Sequence, residues 1–167
     1  TDPERGRDGV TCFIVETDWP GFHVRRIVHT LRSSRYATEI QLEDLRVPDA
    51  NVLGEEGGGF KLANNLLARQ RIPYAAECVG VAIKAHEMAV EYSKIRETFG
   101  ARLASRQGIQ WMLVENEIDI RTARWLILDA AGKAARGEAF RSESAMGKLV
   151  GAEASSRCWA WVRIHPW

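Results

Sequence analysis

Two short stretches hold the side chains best suited to chemistry. The first is Arg96-Glu97-Thr98-Phe99-Gly100, followed a few residues later by Gln107. Arg96 ends one helical pattern and Gln107 begins the next. The loop between them can therefore present a guanidinium, an aromatic face and a side-chain amide to one flat, phosphate-bearing ligand. A guanidinium suits a pyrophosphate because its planar fork makes paired hydrogen bonds to phosphate oxygens. The same residues also suit a plain helix end, with Arg96 complementing the dipole and Gly100 capping the last turn. Spacing alone leaves both readings open. The second stretch is Arg69 and Arg71, near the middle of a helical pattern and just ahead of Pro73. A lone arginine on a helix is ordinarily solvated. Two so close together, beside a helix-distorting proline, suit an anion or polar ligand nearby, and from spacing alone the solvated reading stays open beside it.

Other chemistries find little footing. The run Gly54-Glu55-Glu56-Gly57-Gly58-Gly59 lacks the Gly-Lys-Ser/Thr of a nucleotide phosphate loop and reads as a hinge entering a helix. His23, His29, His86 and His165 have no ligand-like spacing, and Ser33-Ser34 has no nearby base, so neither a metal site nor a hydrolase triad is expected. Cys12, Cys78 and Cys158 are far apart and odd in number, which argues against a disulfide framework or a zinc site and for a reducing compartment. Lys plus Arg total 23 against 22 Asp plus Glu, a net charge of +1, so the cationic excess that nonspecific nucleic-acid binding draws on is missing. No apolar run reaches the length of a membrane span, and no signal peptide is read before Thr1. With 46% hydrophobic and 27% charged residues, the 167-residue chain is globular in composition. The first residue is not Met and the chain ends abruptly at Ile164-His165-Pro166-Trp167, so a piece of a longer protein is expected.

The elements that must position these residues change character near Gly54. Before it, three strands are read: Val10–Glu16 as a short apolar run rich in β-branched and aromatic residues, Phe22–Val28 with partial alternation and Tyr36–Leu45 with clearer alternation, the first two separated by the Asp18-Trp19-Pro20-Gly21 turn and the last ended by Pro48 and Asn51. Three strands do not cover a sheet alone, so partner strands are expected upstream. From Phe60 the period becomes helical. A first helix is predicted to about Arg96, bent rather than ended by Pro73 and closed by Gly100; a second from about Gln107 to Ala135; a third from about Ser142 to Val162. On the second, Trp111, Val114, Ile118, Trp125 and Leu128 form one stripe and Leu113, Ile120 and Ile127 another. A helix apolar on more than one side is buried in a bundle or gripped by a second subunit. On the third, Ala145, Met146, Leu149, Cys158 and Trp159 are expected to face inward. The fold class is an α+β fragment: a partial antiparallel β-domain over residues 1–54, then an antiparallel bundle of three long helices over 55–167, a truncated four-helix bundle.

Taken in order, these residues resemble the acyl-CoA dehydrogenase family over nearly the whole chain. Phe13-Ile14-Val15-Glu16, Pro20-Gly21, Val47-Pro48 and Asn51-Val52-Leu53-Gly54 are similar to the closing half of its middle β-domain. Gly59-Phe60, Arg71, Gly80, Tyr92 and Arg96-x-Thr98-Phe99-Gly100-x-x-Leu103-x-x-x-Gln107 are similar to the start of its C-terminal helical domain. Ala145-x-x-Lys148 and Val162-x-Ile164-His165 continue it. Single pieces are weak signals, but their order and spacing are specific, and they turn the reading of the Arg96 loop toward a ligand.

The resemblance implies an FAD enzyme that oxidises an acyl-CoA thioester to the trans-2-enoyl-CoA. A glutamate removes the α-proton while the β-hydride passes to the flavin, and electrons leave to an electron-transferring flavoprotein. It implies that Arg96, Thr98, Phe99 and Gln107 contact FAD held mainly by a neighbouring subunit, hence a homodimer at least and commonly a homotetramer. It further implies that Ala68, Arg69, Gln70 and Arg71 line the acyl-CoA site, and that Arg163, Ile164 and His165 bring backbone to the flavin. The compartment implied is the cytoplasm, or the mitochondrial matrix in a eukaryote. Three departures stand out. The usual catalytic glutamate is expected beyond Trp167. The position where some subfamilies carry it, just before the arginine, is Gln70, which has no carboxylate. And the family's Gln-Ile-x-Gly-Gly reads here Arg163-Ile164-His165-Pro166-Trp167, with a proline lacking the N–H that a glycine would offer. Alternatives of other kinds are a flavin monooxygenase or oxidase of the same fold, and a helical interaction module without catalysis.

Overall fold

The structure is a computed structural model; it describes residues 2–29 and 37–164, with side chains through residue 160. Two compact units divide the chain, Thr1–Asn64 and Asn65–Trp167.

The first unit is built of short antiparallel pairs. Strand β1 (Cys12–Phe13) pairs with β4 (Val52–Leu53), and β2 (Phe22–Val28) pairs with β3 (Ala37–Leu42). The second pair shifts register between Val24 and Arg26, so Arg26 lies opposite Glu39 and their side chains form an ion pair at 2.5 Å. The predicted first and third strands are longer than those formed. The first shrinks to two residues because Ile14 N–H bonds to the Asn51 carbonyl in the turn before β4 rather than to a partner strand. Tyr36, the expected start of the third, lies outside the described residues. The polar opening forms 3-10 turns over Pro3–Gly9, capped by the Asp2 carboxylate. Gly59 explains the entry into the first long helix. Its N–H bonds to the Val10 carbonyl at 2.8 Å, and a Cβ there would sit 2.8 Å from the Cys12 nitrogen.

The second unit is a three-helix bundle. Helix α1 spans Gly59–Ile95, its first turns belonging to the first unit; α2 spans Gln107–Ala135 and α3 spans Arg141–Ile164. The periodicity-based boundaries agree with these to within two residues. Pro73 leaves α1 a single continuous helix. Antiparallel order of α2 and α3 is fixed by ion pairs at both ends, Lys133 to Glu143 at 2.6 Å and Arg157 to Asp119 at 2.7 Å.

The core is made of small side chains. Ala75, Val79, Ala82 and Ala85 of α1 meet Ile120, Ala123 and Ile127 of α2 and Cys158 of α3. Burial lifts the Cys158 thiol pKa above its ordinary value. The inward face of α3 corrects the sequence expectation. Ser144, Gly147, Gly151, Ala154 and Cys158 point in, whereas Ala145, Met146, Leu149 and Trp159 are exposed. Backbones approach too closely for large residues: a Cβ on Gly151 would stand 3.2 Å from the Ala75 carbonyl oxygen, and one on Gly147 3.3 Å from the Ile127 side chain. On α2 the two apolar stripes divide cleanly. Ile120 and Ile127 are buried, and Trp111, Val114, Ile118, Trp125 and Leu128 lie exposed.

Candidate functional site

The segment between α1 and α2 is not an irregular loop. Strands β5 (Glu97–Thr98) and β6 (Ala101–Arg102) pair antiparallel, Glu97 opposite Arg102 and Thr98 opposite Ala101. Phe99 and Gly100 form the turn between them, with φ of 49° and 73°. Positive φ at both central residues is the type I′ arrangement that matches strand twist, and it favours Asn-Gly or Gly-Gly. Gly100 adopts it freely; Phe99 pays about 1 kcal/mol for it. Gly100 is therefore a turn residue, not the cap of α1, which ends five residues earlier at Ile95. The hairpin is anchored where it rejoins the bundle: Leu103 is buried and its N–H bonds to the Arg96 carbonyl at 2.9 Å.

This strained turn holds a phenylalanine ring in solvent. Phe99 is 99% exposed. Among the described residues the one cation near its ring is the Arg106 guanidinium, 5.7 Å from the centroid. The Arg106 guanidinium also donates to the Thr98 carbonyl. Arg96 is exposed, and among the described residues its side chain has no hydrogen bond or ion pair. Thr98 is half-buried and Gln107, the first residue of α2, is exposed. One short segment thus brings together an unpaired guanidinium, an uncovered aromatic face, a hydroxyl and an amide. Those groups fit a flavin dinucleotide: charge for the diphosphate and a ring for a flat heterocycle. Arg106 was not singled out by sequence; only its place next to Gln107 could have drawn attention to it.

The second predicted group is less convergent. Ala68 is 5% exposed, Arg71 is half-buried on the same side one turn later, and Arg69 and Gln70 are exposed. Residues two apart on a helix point in nearly opposite directions, so Arg69 and Arg71 cannot grip one small anion together. Arg71, with no ion partner among the described residues, is the one placed to do so. Arg163 and Ile164 lie in the last turn of α3, their side chains outside the described residues, and His165 lies outside them altogether. Among the described residues no His, Cys, Asp or Glu cluster could hold a metal, and no helix is long and apolar enough to cross a membrane.

Fold and hairpin together define a helical-bundle domain that carries a short hairpin with an exposed aromatic turn. Comparison with known proteins gives that class its family. The family model described as acyl-CoA dehydrogenase, C-terminal domain, matches residues 57–162. The short-chain-specific acyl-CoA dehydrogenase of Megasphaera elsdenii is 38% identical over 162 residues, covering 94% of this chain and 41% of that protein. The acryloyl-CoA reductase (NADH) of Anaerotignum propionicum is 38% identical over 154 residues, 92% of this chain and 39% of that protein. The structure of butyryl-CoA dehydrogenase from Megasphaera elsdenii superposes with a TM-score of 0.89 at 36% identity, over 97% of this chain and 43% of that one. The chain belongs to the acyl-CoA dehydrogenase family. It spans about two fifths of the length of these relatives.

Proposed function

We propose that this chain is part of an FAD-dependent oxidoreductase that introduces a double bond between the α and β carbons of an acyl-CoA thioester. The observation that carries the reading is the Arg96–Gln107 segment: a strained turn that exposes an aromatic ring beside a guanidinium with no ion partner among the described residues, groups suited to a flat, anionic ligand. The names of the two relatives point to the same substrate class, since each contains an acyl-CoA thioester, one named for its oxidation and one for its reduction.

FAD, when bound, accepts the β-hydride; the remaining work belongs to the chain. Arg96 would pair with the diphosphate, Phe99 would lie against the cofactor, and Thr98 and Gln107 would supply polar contacts. Among the described residues only the Arg106 guanidinium approaches the Phe99 ring, which stays 99% exposed, and this supports a cofactor held mainly by a neighbouring protomer and hence a homodimer or homotetramer. The exposed Trp111 to Leu128 face of α2 offers apolar area for such an assembly. Arg71 would position the acyl-CoA beside Ala68, Arg69 and Gln70, and backbone at Arg163, Ile164 and His165 would reach the flavin. Gln70 is an amide and cannot take the α-proton, so the base is a carboxylate from elsewhere, expected beyond Trp167. Electrons would leave to an electron-transferring flavoprotein. Three unpaired thiols fit a reducing compartment such as the cytoplasm.

The test uses the full protein. Bound flavin that bleaches anaerobically on adding a straight-chain acyl-CoA supports the reading, and rapid peroxide formation in air would replace it with an oxidase. Purification without flavin, and failure to take it up, would remove it. Arg96→Ala should lower FAD retention at least tenfold, since a charge-assisted hydrogen bond contributes about 1.5–3 kcal/mol, while leaving the helical content unchanged.

A further inference from the structure

Arg106 occupies the N-cap of α2 with φ −90° and ψ 122°, and it makes no side-chain cap hydrogen bond. Helix stability favours an acceptor there, Ser, Thr, Asp or Asn; a guanidinium has no acceptor, and its charge opposes the positive end of the helix dipole. The side chain turns back instead. It donates to the Thr98 carbonyl, approaches the Phe99 ring to 5.7 Å from its centroid while leaving the residue 99% exposed, and keeps its Nε buried without a partner. Three local costs therefore meet within eight residues: a poor cap, an orphaned donor, and a phenylalanine at positive φ. Costs that gather at one place without a gain in packing mark a functional constraint.

We infer that Arg106 is a positioning residue for the cofactor: its guanidinium clamps the Thr98–Gly100 turn and fixes the orientation in which Phe99 meets a flavin dinucleotide. This rests on the reading of the hairpin as an FAD contact. The planar head group, one edge on a carbonyl and one face toward a ring, explains the residue type. A lysine could satisfy the carbonyl but has no plane to lie over a ring, and a serine would cap α2 yet reach neither. The clamp acts before the cofactor arrives, so it lowers the ordering cost of binding rather than adding a contact.

Arg106→Ser separates this role from a structural one, because the two effects have opposite signs. The experiment takes the full, flavin-free protein and measures its thermal midpoint, the hydrogen-exchange protection of the hairpin amides, and FAD affinity by titration. Arg106→Ser is expected to hold or raise the thermal midpoint by restoring a helix cap, while amide protection at residues 98–102 falls and the FAD dissociation constant rises about tenfold. Arg106→Lys should fall between the two. An unchanged FAD constant in Arg106→Ser, with Arg96→Ala still weakening FAD, overturns the clamp and leaves the FAD reading in place. A lower thermal midpoint with unchanged amide protection in the hairpin also overturns it, by making Arg106 a structural residue. If neither variant alters FAD binding, both readings fall.

Discussion

The bundle and the hairpin that joins its first two helices obey opposite rules. Along α1, α2 and α3 the buried apolar positions suit their neighbours: small residues where backbones approach, Ile120 and Ile127 where there is room, ion pairs closing both ends of the α2–α3 pair, with the buried Nδ1 of His86 an orphaned exception. In the hairpin, Phe99 occupies a backbone region that favours glycine or asparagine, its ring is uncovered, and Arg106 caps a helix badly. A fold built for stability alone would place Asn-Gly at that turn and Ser or Asp at that cap. The contrast teaches where local packing stops deciding residue type and where, on the proposed FAD reading, a ligand would decide it.

The comparison breaks most visibly at Gly151. A Cβ there would meet the Ala75 carbonyl at 3.2 Å, and backbone yields poorly. Gly151→Val should push α3 from α1 and cost about 2–3 kcal/mol, read as a lower thermal midpoint by circular dichroism. A midpoint equal to wild type would mean that the helices are farther apart than the small residues imply. The hairpin should answer with the reverse sign. Phe99→Asn creates the favoured Asn-Gly turn and should stabilise the flavin-free protein by about 1 kcal/mol in denaturant titration, while FAD retention drops. Loss of stability in Phe99→Asn would show that the ring packs on something within this chain, and the contrast would dissolve.

The same contrast decides what was legible in the sequence. Helix boundaries came through because periodicity and turn residues report local geometry: Gln107 and Ala135 were read to the residue. The inner face of α3 did not. Hydrophobicity ranks Met146, Leu149 and Trp159 above Ser144 and Gly147, yet close packing selects for small volume, which no hydropathy pattern encodes. The β5–β6 hairpin was missed because two-residue strands carry no alternation to detect and Phe-Gly is not a usual type I′ turn. Arg96, Phe99 and Gln107 were nonetheless singled out, since unusual residue types at a helix junction are visible without knowing the turn. Arg106 was not, because its role lies in a contact between residues eight apart, set by the hairpin itself.

The finest distinction lies at the far end of the bundle, where Lys133 meets Asp129 and Glu143. The hydrogen bond from Lys133 lowers the Glu143 carboxyl pKa below its ordinary value and raises that of Lys133. A carboxyl depressed in the folded state contributes stability that is complete above the unfolded pKa, about 4.3 for glutamate. That contribution is lost as pH falls through the folded value. A lysine raised in the folded state contributes fully below its unfolded pKa, about 10.4, and loses it as pH rises through its folded value. Between those limits the link is constant, so neutral pH is a plateau. Glu143→Gln should lower stability slightly on that plateau and flatten the acid limb, while leaving FAD binding untouched, as befits a residue of the bundle rather than the hairpin. Stability followed by denaturant titration from neutral to acid pH checks this, and an acid limb as steep in Glu143→Gln as in wild type would assign the acid sensitivity to other carboxylates.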